Sequence, residues 1–89
     1  MVLAVIYFDV KNGAGFEAAL KENSGSVTVA HGYRSHNLRR GVEQPDRYLL
    51  TVEWATIDDH KNWQKAHAPE FLGALGPFMT GGPDIKHFE

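Results

Sequence analysis

The chain has 89 residues, enough for one domain with a thin hydrophobic core. Its formal net charge of -2 gives no electrostatic basis for binding nucleic acid or an anionic membrane, and the absence of cysteine excludes disulfides and thiolate metal sites. Because it has neither the pattern of a signal peptide nor an apolar run near the roughly 20 residues of a membrane helix, we expect a cytoplasmic protein.

The first predicted element is a strand over residues 2 to 10 that is apolar on both faces. Side chains alternate along a strand, so its apolar residues fall into two sets: Leu3, Val5 and Tyr7 on one face, and Ala4, Ile6 and Phe8 on the other. A small antiparallel sheet with one solvated face normally alternates apolar with polar residues. Either helices cover both faces of this strand, or a second copy of the chain covers one of them.

A helix is predicted from about Gly15, because Phe16 and Leu20 lie one turn apart on a common face. The stretch SGS at residues 24 to 26 is poor in helix propensity, yet apolar positions at the same spacing continue to residue 30. The helix therefore either runs to about residue 30 or breaks near Gly25.

Two strands follow, over residues 33 to 40 and 48 to 54, and Pro45-Asp46 supplies the turn between them. Thr56 is then the predicted N-cap of a helix that runs to about His67. We expect Pro69 to begin a second helical piece and the segment DIKHFE at the end to form a short final strand.

This order of elements, β-α-β-β-α-β, predicts an α+β, ferredoxin-like fold in which both helices cover one face of an antiparallel sheet. The opposite face of the first strand then lacks a cover. Leaving three such side chains in water would forgo roughly 5–9 kcal/mol, a large share of the roughly 5–15 kcal/mol that stabilises a small domain. We therefore expect a homodimer that forms through this face of the sheet.

Three stretches carry a resemblance to a known family: HGY at residues 31 to 33, QPDRYLLTVEW at 44 to 54, and IDDHKNWQKAHAPEF at 57 to 71. Together with the layout of the first strand and helix, they resemble the antibiotic biosynthesis monooxygenase family of dimeric α/β-barrel proteins. The resemblance implies a single domain over residues 1–89, a dimeric barrel and a ligand pocket between sheet and helices. Relatives of this kind include cofactor-free oxygenases, haem-degrading oxygenases and proteins without a known activity.

The candidate catalytic residues lie on one helix. His60, Trp63 and His67 fall at positions i, i+3 and i+7, so they share a face. A neutral imidazole can accept a phenol proton, because its pKa lies near working pH. In the cofactor-free relatives, the resulting substrate anion reacts directly with molecular oxygen. The resemblance thus implies that His60 or His67 takes the proton and Trp63 orients a small aromatic substrate, with no cofactor.

Candidate substrate-binding residues come mainly from the second strand. Tyr33, Asn37 and Arg39 share one face by alternation, and Asn37 or Arg39 would stabilise the substrate anion. The opposite face, which carries His36, is an equal candidate, since the sequence does not show which face the helices cover. Phe71 from the second helical piece is a further candidate for the pocket, and Tyr7 from the first strand could reach either the pocket or the dimer interface.

Other chemistries find less support in the residues. His60 and His67 lie two helical turns apart, about 10 Å, which is too far for one metal ion. Trp63 matches the tryptophan of the haem-degrading relatives, but the first strand has no asparagine, and Gly73 stands where their axial histidine is expected. The leading hypothesis is a cofactor-independent monooxygenase of a phenolic, quinol or polyketide-like aromatic. The alternative is a dimeric, non-catalytic module that binds a small ligand.

Overall fold

A computed structural model describes residues 1–89, and its elements follow the expected order. The strands are β1 (Val2–Asp9), β2 (Tyr33–Arg40), β3 (Arg47–Trp54) and β4 (Asp84–Phe88). The helices are α1 (Gly13–Asn23), α2 (Gly25–Thr28) and α3 (Ile57–Leu75), and a 3-10 turn spans Gly76–Phe78. No helix is long and apolar enough to cross a membrane.

The four strands form one sheet in the order β2-β3-β1-β4, with every neighbouring pair antiparallel. This arrangement confirms the expected α+β, ferredoxin-like fold. The two central strands, β1 and β3, supply most of the side chains that the helices cover, and these are Ala4, Ile6 and Phe8 with Tyr48, Leu50, Val52 and Trp54. The face that packs against the helices is therefore the even-numbered one in both strands.

The first helical segment is divided into two helices, α1 and α2, rather than forming one continuous helix. The side chain of Asn12 caps α1 by accepting a hydrogen bond from the backbone N–H of Gly15 at 3.0 Å. The helix ends at Asn23, and the four-residue α2 follows after Ser24. Serine and glycine at this point favour a break because both are weak helix formers.

Helix α3 is continuous, so the expectation that a second helical piece begins at Pro69 was wrong. The helix passes through Pro69 to Leu75, although proline in a helix interior costs about 3 kcal/mol. Trp63, Phe71 and Leu75 lie on one helical face and are all buried against the sheet. Burial of such side chains is worth about 1.5–3 kcal/mol each, which offsets the cost of the proline.

The other face of the sheet carries no helix. Leu3, Val5 and Leu49 are half-buried there by their neighbours, whereas Tyr7 is 37% and Phe88 is 55% exposed. The strand that was expected to be apolar on both sides is thus covered by its own chain on one side only.

Candidate active site

A cavity of about 70 Å³ lies between the sheet and the helices. Its wall contains 17 residues, of which 12 are hydrophobic. The sheet contributes Ile6, Leu50 and Val52 among others, and α3 contributes Trp63 and Phe71. An apolar chamber with a few polar groups is the usual form of a site for a small organic molecule.

His60 is the polar residue that is buried most deeply in this wall, with 3% of its surface exposed. It lies in the first turn of α3, whose start is set by Thr56: the hydroxyl of this N-cap accepts from the backbone N–H of Asp59 at 3.1 Å. The imidazole stacks on the indole of Trp54 with centroids 5.0 Å apart and 14° between the planes. It also lies 6.2 Å from the ring of Trp63.

The partner of His60 is a second histidine at the end of the chain. Nδ1 of His60 lies 2.8 Å from Nε2 of His87, on β4, so one of these nitrogens donates a hydrogen bond to the other. Burial, and to a lesser degree the charge of His87, lowers the pKa of His60 to about 4. His60 is therefore uncharged at neutral pH and able to accept a proton.

His87 was not among the residues that were expected in the site. The alternation of the last strand was the available signal, since Ile85 and His87 lie on the same face and Ile85 also lines the cavity. The contact between His60 and His87 could not be predicted from the sequence, because it joins residues 27 positions apart on different elements.

Trp63 and Phe71 both line the cavity, as the sequence predicted for pocket residues. Their rings meet edge to face at 5.3 Å and 79°. The indole N–H of Trp63 points away toward α2, where it donates to the hydroxyl of Ser26 at 3.4 Å. Trp63 therefore offers the cavity an aromatic wall rather than a hydrogen-bond donor.

His67 does not line the cavity. Its ring lies 6.2 Å from that of Trp63, in a separate surface depression that includes Glu22, Ser26 and Glu70. One helical turn beyond Trp63, it is separated from the cavity by that indole and by Phe71. The structure therefore brings His60, but not His67, to the place where a substrate proton would be taken.

A β-bulge between Tyr33 and Ser35 changes which residues of β2 share a face. Tyr33 stands opposite Trp54 on the helix-covered side, where its hydroxyl bonds Nδ1 of His36 at 2.6 Å. His36 lines the cavity, whereas Tyr33 does not. The expectation that Tyr33 shares a face with Asn37 and Arg39 was therefore wrong, because simple alternation does not account for the bulge.

Asn37 and Arg39 lie on the uncovered face, opposite Thr51 and Leu49 of β3. Tyr7 is also on that face, with the guanidinium of Arg47 stacked 4.6 Å from its ring centroid. None of Asn37, Arg39 and Tyr7 lines the cavity. Their placement in the pocket is corrected accordingly: the sheet itself separates these side chains from the chamber.

Trp54 is a further cavity residue whose part was not anticipated. It is 1% exposed, and its indole Nε1–H is buried without a hydrogen-bond partner in the protein. An unpaired buried donor typically costs about 1–3 kcal/mol. No group of three or more histidine, cysteine or carboxylate side chains is arranged to hold a metal ion.

A model of the family "Antibiotic biosynthesis monooxygenase" matches residues 1–74 of this chain. The chain belongs to the antibiotic biosynthesis monooxygenase family. Among sequences of this kind, the uncharacterized protein YczJ of Bacillus subtilis (strain 168) is 30% identical over 93 residues, which cover 100% of this chain and 98% of YczJ.

Solved structures agree with this family assignment. A crystal structure of a Bordetella bronchiseptica protein assigned to the antibiotic biosynthesis monooxygenases is similar with a TM-score of 0.90 and 27% identity, covering 99% of this chain and 94% of that one. SnoaB, a cofactor-independent oxygenase from Streptomyces nogalater, has a TM-score of 0.86 at 20% identity, covering 99% of this chain and 90% of SnoaB. The second likeness shows that the fold is shared.

Proposed function

We propose that the protein is a cofactor-independent monooxygenase of a small phenolic, quinol or polyketide-like aromatic. The observation that carries this proposal is the uncharged, buried imidazole of His60 in the wall of an apolar cavity beside two indoles. Membership of the antibiotic biosynthesis monooxygenase family and the fold shared with SnoaB support it.

The first step is removal of the substrate proton. Nδ1 of His60 is engaged with His87, so Nε2 is the nitrogen left for a substrate, and no protein group bonds it. When Nε2 accepts the proton of a phenol, the substrate becomes an anion that is electron-rich at ring carbon. Because the cavity is apolar, this anion is not stabilised by bulk water and reacts readily with an electron acceptor.

The second step uses molecular oxygen as that acceptor. Carbon of the substrate anion bonds to one oxygen atom, and the electron pair moves to the other, which gives a peroxide. Protonation and cleavage of the O–O bond leave one oxygen atom as a new carbonyl and release the other as water. The O–H of the phenol and the C–H of the attacked ring carbon supply the two hydrogens of the water, and the substrate supplies all four electrons that O2 takes up. A ring C–H thus becomes a carbonyl without an external reductant.

Charge on the substrate oxygen requires a donor. The Nε2–H that forms when His60 takes the substrate proton is one such donor. The unpartnered Nε1–H of Trp54, a cavity-lining residue, is buried and becomes a second donor once the cavity widens. This assignment replaces Asn37 and Arg39, which lie on the other side of the sheet.

The cavity has to widen before an aromatic ring can enter. Its volume of about 70 Å³ is below the 150 Å³ of an engineered protein cavity that binds benzene. Ser24 and Val27 lie in its wall, and α2 buries no side chain of its own. Displacement of α2 therefore costs little burial, and it breaks no strand pairing in the sheet.

The assembly that we propose is a homodimer through the uncovered face of the sheet. Half-buried Leu3, Val5 and Leu49 and the exposed ring of Phe88 form its apolar part. At micromolar concentration, sedimentation should give twice the mass of one chain. Val5→Glu should yield monomers, whereas Val42→Glu, at a site 88% exposed in the β2–β3 turn, should not. A wild-type chain that sediments as a monomer at that concentration contradicts the proposed interface.

Oxygen consumption tests the proposed activity. The purified protein, treated with a chelator, is given a panel of hydroquinones and anthrones under air, and dissolved oxygen and quinone formation are followed together. One quinone should appear per oxygen molecule consumed, without release of hydrogen peroxide and faster than in buffer alone. Binding of these compounds without oxygen uptake would instead support the ligand-binding module, and it would contradict the oxygenase.

A further inference from the structure

We infer that His87 positions His60 and carries its proton from the cavity to solvent, so that the two histidines act as a relay. This inference rests on the proposed function, because it explains how a buried base is recycled after each turnover. His87 lies beyond residues 1–74, the part of the chain that matches the family model. The relay is therefore assigned from the geometry of this chain.

The geometry places the pair across the edge of the cavity. His60 is 3% exposed and lines the cavity, whereas His87 is half-buried and does not line it. Their facing nitrogens, Nδ1 of His60 and Nε2 of His87, are 2.8 Å apart, which is hydrogen-bond distance. The remaining nitrogen of His87, Nδ1, has no hydrogen-bond partner in the protein and is not buried, so water can reach the outer end of the pair.

In the resting pair, Nδ1–H of His60 donates to Nε2 of His87, and His87 carries its own proton on Nδ1. His60 is thereby held with an unprotonated Nε2. When Nε2 takes a substrate proton, the proton on Nδ1 of His60 passes to Nε2 of His87, and Nδ1 of His87 releases its proton to water. One proton enters and one leaves, so both rings are neutral, but each now carries its proton on Nε2. Nε2 of His60 then gives its proton to the peroxide. A proton from water re-enters at Nδ1 of His87 and one passes back from Nε2 of His87 to Nδ1 of His60, which restores the resting pair.

The relay reduces the cost of placing a positive charge on the buried ring of His60. An imidazole with its pKa lowered to about 4 holds a proton weakly, and a buried imidazolium is costly. Transfer of the charge to the more exposed ring lowers that cost. No carboxylate lines the cavity to share the charge, and Asp59 instead faces Nε2 of His31 at 3.7 Å. The other titratable side chain in the wall is His36, which is bonded to Tyr33.

Nuclear magnetic resonance of the nitrogen-15-labelled, ligand-free chain tests positioning. In the wild type at neutral pH, Nε2 of His60 should show the shift of an unprotonated nitrogen. His87→Gln keeps an acceptor for Nδ1–H and should preserve this state, whereas His87→Leu should give a mixture of tautomers. In both variants the pKa of His60 should rise, because the charge of His87 is gone, yet stay below 6.5, because burial remains. A protonated Nε2 in the wild type overturns the inference.

Kinetics test the proton transfer. Glutamine cannot pass a proton on, so both His87→Gln and His87→Leu should lower kcat by about 10- to 100-fold, the size of loss seen when the hydrogen-bond partner of a metal-ligating imidazole is removed. His67→Gln, which changes a histidine outside the cavity, is the control and should behave as the wild type. His87→Gln with wild-type kcat overturns the relay.

The relay and the oxygenase can fail separately. If the wild type oxidises no aromatic, the proposed function fails, and solvent exchange of the His60 Nδ1 proton then decides the relay. This proton should exchange more slowly in His87→Gln than in the wild type, because its route to water is removed. Equal exchange rates contradict the inference.

Discussion

Replacement of His60 by glutamine should lower kcat for aromatic oxygenation by about 100- to 10,000-fold, the usual contribution of a positioned general base. Glutamine is similar in size and can still bond His87, so the fold and the aromatic contacts of Trp54 should be retained. What it cannot do is accept a proton from a phenol. Oxygen consumption by the variant, with binding of the aromatic measured alongside, checks this result.

The matched control is His67→Gln on the same helix. Since His67 lies behind Trp63 and outside the cavity, its kcat should stay within about twofold of the wild type. An equal loss in both variants would show that the effect comes from helix α3 as a whole. Full activity of His60→Gln would remove His60 as the base, and a large loss in His67→Gln alone would transfer that role.

Replacement of Phe16 by alanine should lower the free energy of unfolding by about 3–5 kcal/mol. Phe16 is fully buried, and its ring centroid lies 5.0 Å from those of both Phe8 and Tyr48. Its ring thus packs α1 against both central strands, and alanine would leave a cavity there. A loss of this size is a large part of the roughly 5–15 kcal/mol available to a small domain.

Urea unfolding at fixed protein concentration measures this effect, because dimer formation also contributes to stability. Val42→Ala, on an exposed turn, is the control and should change the free energy by less than about 0.5 kcal/mol. A change below about 1 kcal/mol in Phe16→Ala would contradict the packing of α1 against the sheet.

The helix-facing side of the site was predictable in part. His60 and Trp63 were expected in the pocket because helical periodicity puts residues three or four apart on one face. Phe71 was expected there from a separate helical piece, and all three line the cavity. The same periodicity also included His67, which is one turn too far along α3. Periodicity identifies a face, but it does not show where along that face the cavity ends.

The faces on which the residues of β2 lie were harder to predict from the sequence. Alternation assigned Tyr33, Asn37 and Arg39 to one face, and a single bulge after Tyr33 reversed that assignment for the remainder of β2. Which face of an edge strand meets the helices depends on its pairing with β3, and that register is a long-range property. The burial of residues on the central strands was easier to predict, because an uninterrupted run of apolar side chains has to be buried on at least one face of the sheet.

The amino-acid sequence by itself determined the order of strands and helices, the apolar sides of the central strands and the helix that carries His60, because these depend on local periodicity and capping. Only the tertiary structure decided that His87 contacts His60, that α3 continues through Pro69, and that Asn37 and Arg39 face away from the cavity. Those outcomes depend on strand register and on burial energies summed over distant residues, which no short stretch of the chain contains.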